Sequence, residues 1–225
     1  MLLKDSDAFR IVIASDFHHP ANFSLAGFNE IANARADIAV LNGDVFDPFG
    51  PPEEAVMKKW LSIVHKIAKE VVILPGNHDR WIIEMKDVLT EFNIKSSSDL
   101  IIENKDSNMR LLITHGDELD MLKTKGIIKS RSRLQELLPV ADYIREKMHH
   151  SGWVVLGHTH LLEVLPQYAF ASCGTYCAQT NFFKKEKVIP GYGYILLENG
   201  EIKIRRTHWP EIINYATAIS RETRW

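Results

Sequence analysis

Residues 10–18 read Arg-Ile-Val-Ile-Ala-Ser-Asp-Phe-His, a β-branched run that stops on an acid and an imidazole. Ile11, Val12 and Ile13 are apolar without alternation, which is the pattern of a strand covered on both faces. Working outward, the same arrangement returns twice. Residues 37–41 (Asp-Ile-Ala-Val-Leu) lead into Gly43-Asp44-Val45-Phe46-Asp47, and residues 71–74 (Val-Val-Ile-Leu) lead into Gly76-Asn77-His78-Asp79. Two helical stretches lie between them. One covers 24–34 with Ser24 as N-cap. The other covers 52–69, with Pro52 early and Val56, Trp60, Ile63, Val64 and Ile67 apolar at helical spacing. Strand-helix-strand-helix-strand order predicts parallel strands joined by right-handed crossovers.

The second half has a different texture. Residues 109–114 (Met-Arg-Leu-Leu-Ile-Thr) predict a strand, 132–149 a helix and 153–156 a further strand. Strands without long helices then follow, around Val164, at 168–171, 192–197 and 202–206. Glu198-Asn-Gly-Glu201 carries the Asn-Gly pair of a tight hairpin. A parallel half followed by a strand-rich half implies an α/β fold in which two sheets pack face to face with helices outside. The chain, 1–225, reads as one domain, since no repeat, low-complexity tract or long linker interrupts it. Residues 209–225 place Trp209, Ile212, Ile213, Ala216 and Ile219 on one helical face, an amphipathic helix that would dock on its own domain or form a homo-oligomer contact.

Composition narrows the function. A net charge of -2 disfavours a general nucleic-acid surface. Two cysteines, Cys173 and Cys177, are too few for a disulfide scaffold and fit a reducing compartment as structural thiols. The first nine residues lack the apolar core of a signal peptide, and runs such as 71–74 are far short of a membrane span. A cytoplasmic protein without a membrane span is expected.

Five strands end in polar turns: Asp16-Phe-His18, Gly43-Asp44, Gly76-Asn77-His78-Asp79, His115-Gly-Asp117 and Gly157-His158-Thr-His160. Ligands of open α/β sheets bind outside the carboxyl ends of the strands, so these turns are candidates for one shared site. Their carboxylates, amide and imidazoles, without thiolate, suit Mn, Fe, Zn or Co. Asp16, His18, Asp44, Asn77, His115, His158 and His160 are too many groups for one catalytic ion with open positions. They suit two divalent ions sharing a carboxylate, about 3.5–4 Å apart. Such a centre stays positive with a bridging hydroxide, as an anionic phosphate ester requires. The remaining histidines, His19, His65, His149, His150 and His208, have bland readings as loop, surface or helix-end residues.

The series Asp-x-His, Gly-Asp-x-x-Asp, Gly-Asn-His-Asp, a later His and Gly-His-x-His resembles the calcineurin-like metallophosphoesterase superfamily. It spans Asp16 to His160, most of the chain. The resemblance implies a four-layer α/β/β/α sandwich of two mixed sheets flanked by helices. By position it implies Asp16, His18 and His160 on one metal, Asn77, His115 and His158 on the other, and Asp44 bridging. Manganese is the first expectation for both. A metal-bridging hydroxide would attack phosphorus, because bound cations lower the pKa of water towards about 7. His78 would protonate the leaving alkoxide or steady the phosphoryl oxygens, with Asp47 orienting it.

Gly43–Asp47, Gly76–Arg80 and His115–Asp120 are also similar to UDP-2,3-diacylglucosamine hydrolases, which cleave a pyrophosphate, although those usually carry Arg where this chain has His78. Arg80 is the candidate phosphate contact. The basic run Lys123–Arg133 reads either as a lid over phosphate or as a solvated loop. The expected substrate is a small-molecule phosphodiester or pyrophosphate. A nuclease or phosphoprotein phosphatase of the same superfamily is the alternative, and a scaffold that keeps the fold without catalysis is the third reading.

Overall fold

Ile11–Ala14 lie fully buried because their strand is central in its sheet and that sheet is central in the molecule. The computed structural model describes residues 1–5, 10–20, 24–47, 50–104, 108–126, 137–177 and 191–207. The first half of the chain supplies β1 (Leu2–Asp5), β2 (Ile11–Ala14), α1 (Ser24–Asn33), β3 (Ile38–Asn42), α2 (Glu54–Val64) and β4 (Glu70–Leu74). A 3-10 turn over Arg80–Met85 leads into α3 (Lys86–Glu91), β5 (Ile94–Ser96), β6 (Leu100–Asn104) and β7 (Met109–Thr114). Then come α4 (Glu118–Thr124), α5 (Leu138–Lys147), β8 (Trp153–Leu156), β9 (Leu162–Leu165), β10 (Phe170–Cys173), β11 (Gly193–Glu198) and β12 (Glu201–Arg206).

Two mixed six-stranded sheets result, in the orders β1-β6-β7-β8-β10-β9 and β12-β11-β2-β3-β4-β5. The expected parallel core is present: β2, β3 and β4 run parallel, with Ile13 opposite Val40 and Leu41 opposite Ile73. In the other sheet β7 and β8 run parallel, with Thr114 opposite Leu156. The lack of alternation in the central strands now has its reason. Ile11, Ile13, Val40 and Val72 face the other sheet's Ile102, Leu111, Ile113 and Val155, whereas Val12, Ala39, Leu41 and Ile73 face Phe28, Ile31, Met57 and Leu61 of the outer helices. On the far side Leu112, Val154 and Leu156 pack under α4 and α5. Both faces of both sheets are apolar, giving helix, sheet, sheet and helix layers.

Several boundaries differ from expectation. The helix expected over 52–69 ends at Val64, and Lys66 and Ile67 close i→i+3 bonds to Ile63 and Val64, which turn the chain so that Ile67 enters the core. The strand expected at 168–171 lies at 170–173, because Pro166–Tyr168 make a 3-10 turn closed by Ala169 in the left-handed region. The helix expected over 132–149 is described as Leu138–Lys147, with Pro139 in its first turn. Glu198 and Glu201 pair across a hairpin whose Asn199 and Gly200 both take positive φ, as the Asn-Gly signal requires. The stretch 209–225, His208 and most of the Lys123–Arg133 run lie outside the described residues. Among the described residues, no helix is long and apolar enough to cross a membrane.

Leu61 is fully buried beneath the second sheet. Leu61→Ala is expected to lower unfolding free energy by about 2–5 kcal/mol in urea titrations with chelator present. A loss below about 1 kcal/mol would show that this layer does not carry the fold.

Candidate metal centre

The registers that align β2, β3 and β4, and β7 with β8, bring the carboxyl ends of five strands to one edge. There the backbone leaves ordinary conformations. Asp16, His18, Asp44, His158 and His160 all have positive φ, near 50–57°. None is glycine, so the surrounding structure must hold each against a preference for other regions. Such strain gathers where side-chain direction matters more than backbone comfort. Gly43 and Gly76 show how tightly the turns pack: a Cβ on Gly43 would overlap the His115 ring, and one on Gly76 would overlap Asp44. Hydrogen bonds knit the turns together, from Asp16 N to Gly43 O (3.0 Å) and from His18 N to Asp44 O (2.9 Å).

Three clusters emerge among the described residues, each with one donor atom per residue within 4.8 Å of the rest: Asp16, His18 and His160; Asp44, His115 and His158; and His18, Asp47 and His78, which shares His18 with the first. Asp44 Oδ2 sits 3.4 Å from His115 Nε2 and 3.8 Å from His18 Nε2, so it borders the first two. Asn77 Oδ1 lies 3.3 Å from His115 Nε2. The seven residues selected from the strand ends are therefore assembled at one place.

Neighbouring acceptors set the imidazole tautomers. His115 Nδ1 donates to Asn42 O at 3.0 Å, which leaves Nε2 as the ring atom facing Asp44. His18 Nδ1 donates to Asp47 Oδ1 at 3.2 Å, leaving its Nε2 towards Asp44. His158 Nε2 is 3.2 Å from Asp120 Oδ2, a carboxylate contact that supports the ring from behind. Metal-binding histidines are commonly held by oxygen acceptors in this way.

The electrostatics identify what such a site lacks. Burial pushes the Asp16 carboxyl up, against the attraction of His115. Burial would also raise Asp44, but His115 and His18 outweigh it and hold Asp44 well below the usual carboxylate range. For His115, burial favours the neutral ring, yet Asp44 and Asp16 outweigh burial and raise it. A proton on His115 thus stands in for a counter-cation. His160 is lowered well below its usual value, by burial first and then by His18 and His158, so its ring is neutral and able to coordinate. Asp16 Oδ1 and His18 Nε2 are buried without a hydrogen-bond partner. Orphaned buried atoms of this kind need an explanation, and divalent cations fit both donors. The clustered acids and imidazoles are consistent with a dinuclear metal centre.

Residues 9–212 match the family described as calcineurin-like phosphoesterase. The chain belongs to that family. Among solved structures, an archaeal phosphodiesterase superposes with a TM-score of 0.54 at 17% identity, covering 88% of this chain and 99% of its own. A Vps29 double mutant from Entamoeba histolytica gives a TM-score of 0.49 at 16% identity, covering 88% and 98%. At 17% identity the archaeal likeness concerns the fold alone. No curated protein matches significantly. Family membership and the paired clusters make this calcineurin-like protein a metal-dependent phosphoesterase.

Several residues fall differently from the sequence reading. His78 Nδ1 donates to the Asp47 carbonyl at 3.0 Å, while the Asp47 carboxylate is 3.5 Å from His78 and nearer to His18. The carboxylate thus addresses two rings. The Arg80 side chain is 72% exposed and pairs with Asp117. His19 is buried against Trp60, with Nδ1 2.7 Å from Ser24 Oγ, and His150 is buried at 2.9 Å from Trp153 O. Cys173 and Cys177, by contrast, are free and buried, as expected of structural thiols.

Sequence reading overlooked Asp79, although it is the last letter of Gly-Asn-His-Asp. Its carboxylate accepts from the backbone N–H groups of Val45 (2.8 Å), Phe46 (3.1 Å) and Gly76 (2.7 Å), tying two of the polar turns together. Burial first, then Asp44, raises its pKa to about 6. Asn42 and Asp120 were overlooked as well; only adjacency to a motif could have signalled them. Asp79→Ala would strand three buried donors at about 1–3 kcal/mol each. The expected outcome is a stability loss of at least about 3 kcal/mol together with loss of both ions by metal analysis. Full metal content in that variant would mean the turns hold their geometry without Asp79.

Proposed function

We propose that this chain hydrolyses a small-molecule phosphodiester, with Asp16, His18 and His160 holding one divalent ion, Asn77, His115 and His158 the other, and Asp44 shared. The observation that carries this reading is the position of Asp44 Oδ2 between His115 Nε2 and His18 Nε2, at 3.4 and 3.8 Å. One carboxylate bordering two clusters is what a pair of ions with a common ligand needs. Manganese is the proposed metal, on the hard oxygen and imidazole donors. When bound, such ions would activate water as the nucleophile and neutralise charge on the phosphoryl oxygens.

The chain's own residues do the rest. His18 and His115 keep their Nδ1 protons on oxygen acceptors, so their Nε2 lone pairs stay directed at the centre. His78 is less buried than the clustered residues, at 20% side-chain exposure, and stands 4.7 Å from the His18 ring at an interplanar angle of 87°. Its Nδ1–H is fixed by a carbonyl, which leaves Nε2 as the atom to carry or release a proton. That Nε2 is the atom proposed to protonate a leaving alkoxide. A lipid-sugar pyrophosphate is less well supported. The cation best placed for a second phosphate, Arg80, is engaged by Asp117.

His78→Ala should retain both ions and lose about 10²–10⁴-fold in turnover. Manganese-reconstituted protein is expected to cleave bis-p-nitrophenyl phosphate well and p-nitrophenyl phosphate poorly. Absence of turnover on either ester, with both ions bound, would overturn the proposed activity. Parallel loss of metal in the His78 variant would make that residue a ligand.

A further inference from the structure

The imidazoles of the centre are not all held by the same edge. His18 and His115 engage oxygen acceptors through Nδ1, at Asp47 and at the Asn42 carbonyl, and turn Nε2 towards Asp44. In His158 it is Nε2 that is engaged, 3.2 Å from Asp120 Oδ2. Asp120 belongs to none of the three donor clusters found among the described residues. Its side chain is 50% exposed, against 7% for His158, so the carboxylate stands on the solvent side of the ring and outside the centre.

α4 sets it there. Leu119 and Leu122 sink into one apolar layer with Val154 and Leu156, and Leu156 ends the strand that runs directly into Gly157 and His158. Lys147 Nζ donates to Glu118 Oε1 at 2.8 Å, which ties the same helix to α5. Asp120 is therefore presented by a packed element that shares its core with the strand behind His158. A carboxylate fixed in this way can hold an imidazole in one plane. A metal-binding ring is neutral and carries one proton, and an acceptor at Nε2 keeps that proton there. Nδ1 is then the coordinating nitrogen, and the carboxylate strengthens it as a donor by stabilising the positive charge that coordination places on the ring.

We infer that Asp120 is the positioning residue of the second ion, fixing the tautomer and plane of His158 from α4. The inference rests on the proposed ligand set, in which His158, His115 and Asn77 serve that ion. It deepens that reading, because it makes the affinity of one ion, and not the other, depend on a half-exposed helix residue that binds neither.

The test is a manganese titration of the full chain by calorimetry, in which the unaltered protein should take up two ions. Asp120→Ala should bind one ion as before and the other about 10–100-fold more weakly. At two ions per chain, its electron paramagnetic resonance spectrum should then show isolated manganese in place of the coupled pair. With chelator present its unfolding midpoint should match that of the unaltered chain, and only the rise on adding manganese should shrink. Glu118→Gln, which removes the charge pairing α4 with α5, should keep both affinities within about threefold. Equal affinity for both ions in Asp120→Ala overturns the assignment, as does a midpoint that falls equally with and without metal. An equal loss in Glu118→Gln overturns it too, since the effect would then belong to α4 as a whole. Each of these leaves the proposed centre standing, whereas an unaltered chain that takes up no second ion overturns the centre and the role of Asp120 together.

Discussion

Everything at the strand ends depends on burying Asp16 and Asp44 together. Two carboxylates at 0% and 2% exposure repel each other and lose their hydration. Charge of the opposite sign must be brought to them. Without cations the chain's answer is the His115 proton, which the pair holds against the desolvation of the ring. With cations held as proposed, the same imidazole would give that proton up and coordinate, so that loading would exchange one positive charge for another at nearly the same spot. The surrounding hydrogen bonds follow from this arrangement. Asn42 and Asp47 accept the Nδ1 protons of His115 and His18, and His158 N and His78 N donate to Asp16 and Asp44.

The sandwich makes that burial possible. Apolar side chains on both faces of each sheet shut water out from above and below, leaving only the strand ends for polar groups. The turns there are short and strained because a longer, relaxed loop would let the donors spread. Asp79 keeps two of them at a fixed separation with three backbone contacts, and Gly43 and Gly76 permit an approach that any side chain would block.

Much of this was legible in the chain before any coordinates. Continuous β-branched runs identified β2, β3 and β4 because burial on both faces erases alternation. The polar turns named the seven clustered residues because each follows such a run directly. What escaped had no comparable signal. β5 and β6 are short and part polar, and the end of α2 depends on a tertiary demand, the burial of Ile67. The partner of Arg80 is Asp117, which lies far along the sequence, and no local pattern announces it. Asp47 was read with a single task, yet its carboxylate stands between two imidazoles, a sharing that only distances reveal.

One feature of the clusters reaches beyond chemistry. Asp16, His18, Asp44 and Asn77 follow strands of one sheet, whereas His115, His158 and His160 follow strands of the other. Ions held as proposed would each take donors from both layers and so act as rivets through the sandwich. Sliding or splaying of one layer against its neighbour would then require rupture of coordination bonds in addition to loss of apolar contact. The open edge, where the packing alone is weakest, would become the most firmly clamped part of the molecule, and the loaded protein would be protected kinetically as well as at equilibrium.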